Sequence, residues 1–377
     1  GVWEPLGHRE LHRLMQLHDV PEYAANALVR EAHARGGQDN ATALVVRVME
    51  TASAEDAPIV DLRALPLPGR LHAGAQVDDF QVEALLHESR ATLLYRVRHV
   101  ETGQQWVLKT LQPLLAGDTE AAERLLMEEW LGKRVHSHYF PEVLPLPARN
   151  FLYFVQSWHE GVSLQQRLDA GQHFTCVEVA GQGIRLMKAL GALHRLDILH
   201  RDIKPSNLHL DTAGKLRLLD LGVAYCPTCP AERDGEVPGT PSFLAPELFS
   251  TARFSPRTDL YAAGVTLYHL LTRKYPYGEV EPFQHPKFGE PVPPSRYRPD
   301  IPSWLENTLL KACARNPEAR FETAEEFLVA LERGEAGRLA RPRPTPVVDR
   351  DPVRFWQAVA CVSLVFNLLL VYLLVAG

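Results

Sequence analysis

Cysteine is scarce in this sequence of 377 residues, which contains five cysteines at scattered positions. Scattered cysteines are typical of a reducing compartment and exclude the paired framework of a disulfide-stabilised domain. Basic residues are not in excess either, since 40 lysines and arginines stand against 46 aspartates and glutamates, a formal net charge of −6. Nucleic acid is therefore not an expected partner. The cysteines are Cys176, Cys226, Cys229, Cys313 and Cys361.

Charged residues are absent from the stretch 355–377. At 1.5 Å per residue, a helix from residue 355 to residue 376 rises about 33 Å, enough to cross the hydrocarbon core of a bilayer. The sequence therefore predicts a transmembrane helix at 355–377. The preceding linker, 333–354, contains six arginines and several prolines. Because these arginines flank only one side, we predict a single-pass membrane protein whose preceding domain is cytoplasmic.

A dense group of polar residues lies between apolar residues in the run ILHRDIKPSNLHLDTAGKLRLLDLG at 198–222. Asp202 is followed by Lys204 two positions later and by Asn207 five positions later. Two apolar runs, 208–210 and 215–219, predict short strands joined by a turn. This arrangement places Asp220 at the end of the second strand, facing back toward Asn207.

Two carboxylates, a lysine and an asparagine at this spacing suit a metal-bound triphosphate, because phosphoryl transfer depends on positioning and charge neutralisation. Asp202 would accept or orient the proton of an attacking hydroxyl, and Lys204 would contact the transferred phosphate. Asn207 and Asp220 would supply oxygen ligands to Mg2+. The alternative is a solvated turn with two caps and no catalytic role.

The tripeptide His-Arg-Asp at 200–202, with Asn207 behind it, matches the pattern H-R-D-x-x-x-x-N. It resembles the catalytic loop of the eukaryotic-type (Hanks-type) serine/threonine protein kinases of bacteria, and Asp-Leu-Gly at 220–222 stands where that family has Asp-Phe-Gly. The resemblance implies a two-lobed α+β fold with a β-rich small lobe and a helical large lobe. It also implies ATP, Mg2+ and a protein substrate phosphorylated on serine or threonine.

Three runs with strand character precede this loop, at Phe80–Leu86, Thr92–Val100 and Gln105–Leu111. Within the third, Trp-Val-Leu-Lys at 106–109 resembles the Val-Ala-Ile-Lys signature, whose lysine holds the α and β phosphates. The helix that follows places Glu128 among apolar neighbours, so its carboxylate can pair with Lys109, and Glu129 is the alternative partner. These runs predict the small lobe.

Two further segments are predicted to contact the nucleotide. A strand over 151–158 leads into the hinge, where Ser157 and His159 offer backbone groups to adenine. The phosphate-binding turn of the family is replaced by the run LHESRAT at 86–92, which contains no glycine. Ser89 and Thr92 are its candidate phosphate contacts, but these side chains hold the backbone further from the phosphates than glycines would.

The resemblance extends over residues 80–332, which we predict to be the kinase domain. Thr240 resembles the hydroxyl that links Asp202 and Lys204 to the substrate-binding loop. Asp259 resembles the helix aspartate that bonds the catalytic loop, and Arg320 resembles the arginine that pairs with Glu247. The sequence leaves the oligomeric state open.

The start of the sequence has no initiator methionine, so we expect a fragment of a longer protein. Residues 1–49 include a predicted helix over Pro21–Arg35 and a predicted strand over Ala41–Val48. The run GGQDNATALVVRV at 36–48 resembles the C-terminal end of the 2C class of metal-dependent protein phosphatases, where Asp39 would match a metal ligand. A simple turn at Asp39 is the alternative, and one carboxylate cannot hold a two-metal site, so we expect no phosphatase activity.

Residues 50–79 have no sustained periodicity and are predicted to be a linker that can drape over the next domain. The function predicted from these patterns is a membrane-anchored serine/threonine protein kinase. Two alternatives remain, a pseudokinase scaffold without turnover and a regulatory module of a fused phosphatase. Loss of the turn glycines favours the pseudokinase, whereas retention of Lys109, Asp202, Asn207 and Asp220 favours the enzyme.

Overall fold

The computed structural model divides the chain into two compact units, Gly1–Asp61 and Leu62–Gly377. The structure describes residues 2–18, 20–37, 41–47, 61–146, 148–227, 237–251, 253–280, 286, 288–334, 356–357 and 360–364.

The first unit is built on a pair of helices, α1 (Trp3–Leu17) and α2 (Pro21–Ala34). The second begins at a proline, whose fixed φ and missing N–H suit the first helical turn. Leucines and alanines from both helices form the core of this unit: Leu6, Leu14, Ala27, Leu28 and Ala32. The helix predicted over Pro21–Arg35 is confirmed.

The strand predicted over Ala41–Val48 is wrong for its described part, because residues 41–47 form no strand. Ala43 and Val45 pack against the helix core, whereas Leu44 and Val46 are exposed. Partly buried and exposed residues therefore alternate along this segment, as expected of a strand. A β-strand also needs a neighbouring strand to bond to, and the described residues of this unit contain none. Asp39 lies outside the described residues.

The small lobe of the second unit contains a five-stranded antiparallel sheet in the order β1-β2-β3-β4-β5. Its strands are β1 (Gln76–Val77), β2 (Phe80–Glu88), β3 (Thr92–His99), β4 (Gln105–Leu111) and β5 (Tyr153–Ser157). The predicted strands are confirmed, and β1 was not predicted. Helix α3 (Thr119–Arg134) follows β4 and begins after Asp118, whose carboxylate accepts hydrogen bonds from two N–H groups of the first turn.

The two faces of strand β4 carry different side chains, because successive residues of a strand point to opposite faces of the sheet. Trp106 and Leu108 enter the core on one face with the other strands. Leu111 enters the core on the opposite face, together with Leu125 of α3. Lys109 shares the face of Leu111, so the alternation brings its side chain to α3.

Residues 62–79, part of the predicted linker, belong to the second unit and pack on the small lobe. Leu65 and Leu67 pack against the core between the sheet and α3, and Leu71 packs against the other face. The carbonyl of Pro66 accepts a hydrogen bond from the N–H of Leu152 at 2.9 Å. We call residues 62–79 the strap.

The large lobe is mostly helical and contains a three-stranded sheet in the order β6-β7-β8. Its elements are β6 (Gly161–Ser163), α4 (Leu164–Asp169), α5 (Cys176–His194), β7 (Leu208–Asp211), β8 (Leu216–Leu218), α6 (Leu248–Thr251), α7 (Pro256–Thr272), α8 (Ser303–Ala312) and α9 (Ala324–Arg333). Short 3-10 turns lie at Leu62–Ala64, Pro113–Leu115, Pro205–Asn207, Pro241–Phe243, Pro294–Arg296 and Pro317–Ala319. Helix α7 is buried almost throughout and forms the centre of this lobe.

Among the described residues, no helix combines the length and the apolar character that a bilayer span requires. The transmembrane helix predicted at 355–377 lies outside the described residues except for 356–357 and 360–364. The linker predicted at 333–354 lies outside them beyond Gly334. Both remain predictions.

Candidate active site

Lys109 and Glu128 form a buried ion pair between β4 and α3. The Nζ atom of Lys109 lies 2.7 Å from Oε1 of Glu128 and 2.8 Å from Oδ1 of Asp220. The Lys109 and Glu128 side chains are 7% and 8% exposed, whereas that of Asp220 is 47% exposed. The predicted Lys109–Glu128 pair is confirmed, and Glu129 pairs with other cations.

Two carboxylates thus share one ammonium group, and burial and the charge of Lys109 act on their pKa values in opposite directions. Burial raises the pKa of Glu128 to about 7, because desolvation outweighs the attraction of Lys109. Burial also opposes ionisation of Asp220, but the contact with Lys109 holds the pKa of Asp220 well below its usual range. Burial acts to lower the pKa of Lys109, yet the two carboxylates raise it above its usual range. Lys109 therefore stays charged at neutral pH.

Lys204, Asn207 and Thr240 converge on the carboxylate of Asp202. Its Oδ2 atom lies 2.7 Å from Nζ of Lys204 and accepts a hydrogen bond from the Asn207 amide at 3.0 Å. Its Oδ1 atom accepts from the Thr240 hydroxyl at 3.2 Å, and that hydroxyl also accepts from Lys204 at 2.9 Å. The predicted link through Thr240 is confirmed, and three donors fix the orientation of Asp202.

Asp259 of α7 supports the backbone of this loop. Its carboxylate accepts hydrogen bonds at 2.9 Å from the N–H groups of His200 and Arg201 and lies 3.0 Å from Nε2 of His194. Arg201 has a φ of 66°, a conformation that costs free energy in any residue with a Cβ atom. The bonds to Asp259 hold it there, and the structural role predicted for Asp259 is confirmed.

Glu247 and Arg320 form the other structural pair that was predicted. The two guanidinium nitrogens of Arg320 donate to the two carboxylate oxygens of Glu247 at 2.7 and 2.6 Å. The Arg320 side chain is fully buried, so this two-pronged contact is shielded from water. It anchors the end of the segment that carries Thr240.

Asn207 and Asp220 present oxygen atoms that suit Mg2+. The Asn207 amide nitrogen donates to the main-chain oxygen of Asp202 at 2.7 Å and to its carboxylate, which leaves the amide oxygen outside these bonds. The N–H of Leu219 donates to the Asn207 carbonyl at 2.8 Å. Because Asp220 is the next residue, this bond holds its backbone near that of Asn207. Among the described residues, no three His, Cys, Asp or Glu side chains form a metal-binding group. The pair fits a cation that keeps phosphate and water ligands, as Mg2+ does.

The hinge residues Ser157 and His159 are joined through their side chains. Ser157 Oγ accepts from the N–H of Glu142 at 2.9 Å and lies 2.9 Å from Nε2 of His159. The carbonyl of His159 is 3.0 Å from Nε2 of His209, and because a carbonyl only accepts, His209 carries a proton on that nitrogen. Burial lowers the pKa of His159 to about 4 and also lowers the pKa of His209. Both rings are therefore neutral, and His209 shares the His159 carbonyl predicted to face adenine.

The turn between β2 and β3 satisfies its own backbone groups. Ser89 Oγ accepts from the N–H groups of Ala91 at 3.2 Å and Thr92 at 2.9 Å, and it lies 3.0 Å from the Thr92 hydroxyl. The N–H of Ser89 donates to the Thr92 carbonyl at 2.9 Å. Lys109, Glu128 and Asp220 together are called the Lys109 cluster. Among the described residues, no hydrogen bond joins Ser89 or Thr92 to this cluster. Three N–H groups of the turn are therefore used within the turn.

Two arginines that the sequence did not single out pair with neighbouring glutamates. Arg70 of the strap donates from both guanidinium nitrogens to Glu88 at 2.8 Å, which ties the strap to this turn. Arg149, in the loop before β5, pairs with Glu129. Consecutive glutamates on a helix with an apolar face were a signal for a second buried cation, but the loop sequence did not indicate which residue supplies it.

Residues 85–328 match the protein kinase domain family. The chain is 29% identical over 280 residues to the probable serine/threonine-protein kinase PknB of Corynebacterium glutamicum, covering 70% of this chain and 42% of that protein. It is 40% identical over 141 residues to the tyrosine-protein kinase MasK of Myxococcus xanthus, covering 36% and 22%. The crystal structure of the Mycobacterium tuberculosis PknI kinase domain matches with a TM-score of 0.57 and 25% identity, over 71% of this chain and all of that one.

The chain spans less than half the length of the curated relatives it matches. The family match covers well over half of this chain, and it includes the end of β2, strands β3 to β5, α3 and the loop around Asp202. The two-lobed fold and the convergence of the charged residues on Lys109 and Asp202 agree with that match. The chain therefore belongs to the protein kinase family.

Proposed function

We propose that this protein is a serine/threonine protein kinase that transfers the γ-phosphate of ATP to protein hydroxyls. The proposal rests on two clusters of charged and polar side chains in one domain, one around Lys109 and one around Asp202. Lys109 pairs with both Glu128 and Asp220, and Asp202 is held by Lys204, Asn207 and Thr240. Phosphoryl transfer requires such preorganised charges more than it requires covalent chemistry.

In the proposed reaction, the hydroxyl oxygen of the substrate forms a bond to the γ-phosphorus while the bond from that phosphorus to the ADP oxygen breaks. Asp202 orients the hydroxyl and accepts its proton. Lys204 lies beside Asp202 and stabilises charge on the transferred phosphate, and Lys109 holds the α and β phosphates. Asn207 and Asp220 would hold Mg2+, which supplies charge neutralisation on the phosphates when bound.

The test is transfer of radiolabel from γ-labelled ATP to a generic protein substrate by the purified full chain, followed by phosphoamino-acid analysis. We expect label on serine and threonine, because Lys204, two positions after Asp202, resembles the lysine of the serine/threonine-specific branch. Label on tyrosine alone would show that the protein phosphorylates tyrosine hydroxyls and not those of serine or threonine. If the protein binds nucleotide but transfers no phosphate at saturating Mg-ATP, the kinase proposal is wrong and the pseudokinase scaffold takes its place.

The pseudokinase alternative is supported by one observation, the closed turn between β2 and β3. Its N–H groups bond to Ser89 and Thr92, so they are not free to donate to phosphates. Removing neutral donors weakens nucleotide binding more than it weakens chemistry, because the ionic contacts of Lys109 and Asp220 remain. We therefore favour a kinase with low affinity for ATP.

Replacement of Ser89 by glycine should lower the KM for ATP. The change removes the Oγ acceptor and frees two N–H groups, so we expect a decrease of about fivefold, with a further decrease when His87 is also replaced by glycine. Initial rates over a range of ATP concentrations measure it. Ala91→Gly is the matched control, because it adds flexibility to the same turn but keeps the hydroxyl. An unchanged or higher KM in Ser89→Gly would show that the closed turn does not limit binding.

Activity should depend on pH through Glu128. Its raised pKa of about 7 means that the carboxylate is mostly ionised above this value and mostly protonated below it. The protonated form cannot balance the charge of Lys109, so kcat/KM for ATP should fall between about pH 8 and about pH 6. Glu128→Gln imitates the protonated form and should be slow without this acidic limb. The same limb in the variant would assign the titration to another group.

We further propose that the chain is anchored in a membrane through residues 355–377, with the kinase domain in the cytoplasm. The proposal is supported by the uncharged sequence of this stretch and by the arginines of 333–354. Protease added to sealed cells should leave the kinase domain intact. Digestion of the domain under these conditions would show that it lies outside the cell, opposite to the proposed orientation.

A further inference from the structure

We infer that Glu129 and Arg149 form a second anchor that positions helix α3, and through it Glu128, for the proposed phosphoryl transfer. The inference rests on the proposed function for its kinetic consequence only. Glu129 directly follows Glu128, and both residues are buried, at 5% and 7% exposure. Adjacent buried glutamates are costly unless each has its own cation.

The contacts of Glu129 lead to a different part of the small lobe from those of Glu128. Oε2 of Glu129 lies 2.8 Å from Nη2 of Arg149, with the two side chains 7% and 2% exposed. Arg149 also donates from Nη1 to the carbonyl of Tyr153 in β5. Oε1 of Glu129 lies 2.7 Å from Nζ of Lys133, one turn further along α3. Glu129 therefore connects the helix to β5, whereas Glu128 connects it to β4.

The consequence is geometric. Consecutive residues of a helix project about 100° apart around its axis. A helix held at one side chain can still roll about that contact, but two contacts in different directions fix both its rotation and its distance from the sheet. The second anchor matters because Lys109 is shared between Glu128, Asp220 and, in the proposed reaction, phosphate. Arg149 has no such competing partner in that reaction, so it keeps α3 in place while Lys109 exchanges contacts.

Amide hydrogen exchange over residues 119–134 tests the anchor without requiring activity. In Lys109→Met we expect exchange of α3 to stay within about twofold of the unchanged protein, because Arg149 still holds the helix. In Glu129→Gln we expect exchange of α3 to rise about tenfold, and in the double variant to rise further. The control is Glu306→Gln, an equally isosteric change of a glutamate that is 5% exposed in the large lobe; it should leave α3 unchanged. If Lys109→Met alone releases α3, or Glu129→Gln behaves like the control, the second anchor is refuted.

Kinetics give the second readout. Glu129→Gln should reduce kcat/KM for ATP between about tenfold and a hundredfold, because a small displacement of Glu128 misplaces Lys109. Glu120→Gln, which removes an exposed ion pair from the same helix, should have no effect. If Glu129→Gln does not fold, Arg149→Lys provides the same comparison, since it keeps the charge but loses the forked geometry. A chain with no phosphotransfer at all would overturn the proposed function, and the exchange result would still decide the anchor.

Discussion

Replacing Asp220 with asparagine should reduce phosphoryl transfer by about 1000-fold, equivalent to about 4 kcal/mol of transition-state stabilisation. The substitution removes the one carboxylate of the Lys109 cluster whose side chain is substantially exposed. An amide is a weaker ligand for a hard cation and carries no charge to balance it. Initial rates at saturating ATP and increasing Mg2+ measure the effect.

The loss should be accompanied by a higher requirement for Mg2+, and the domain should remain folded because Lys109 still pairs with Glu128. Asp169→Asn is a suitable control, since Asp169 is an exposed aspartate at the end of α4. Transfer within tenfold of the unchanged protein would rule out Asp220 as a metal ligand.

Asp202→Asn should also abolish most activity, but with a different kinetic signature. Loss of a positioned base costs between about 100-fold and 10,000-fold in kcat. Asp202 bonds to Lys204, Asn207 and Thr240 and not to the Lys109 cluster, so the KM for ATP should stay nearly constant. Steady-state kinetics with a peptide substrate separate the two parameters.

Ser206→Ala provides the control within the same loop, because Ser206 is exposed between Lys204 and Asn207. A rise in the KM for ATP with little change in kcat would move Asp202 from the chemical step to nucleotide binding. Activity that survives the replacement of both Asp202 and Asp220 would remove the basis for the kinase proposal.

The parts of the fold that could be predicted from the sequence are those in which local pattern and local contacts agree. Strand β3 alternates between buried and partly exposed residues, and it joins β4 through a turn with Gly103 at a φ of 68°, where glycine is favoured. Glu128 was identified because it lies on the apolar face of the helix that follows the strand of Lys109. The catalytic loop could be read because its residues contact one another within a few positions of sequence.

The parts that could not be predicted depend on contacts between distant residues. The strap has isolated leucines without a period, and Leu65, Leu67 and Leu71 are partly buried only because elements distant in the sequence cover them. Arg149 lies in a proline-rich loop, where nothing local indicates that its guanidinium reaches Glu129 twenty residues earlier. The hydroxyl of Ser89 was predicted to face phosphate, whereas turn geometry directs it to nearby N–H groups.

The strap also determines how the small lobe can be handled outside its natural context. Residues 74–77 bond to the backbone of Phe80–Val82 on β2, the strand next to the sheet edge. A fragment that began at Phe80 would leave those backbone groups unpaired and would uncover the apolar surface now occupied by Leu65, Leu67 and Leu71. Open strand edges beside apolar surface are the sites at which β-proteins self-associate. Solubility of this lobe is thus a property of residues that precede its recognisable family sequence.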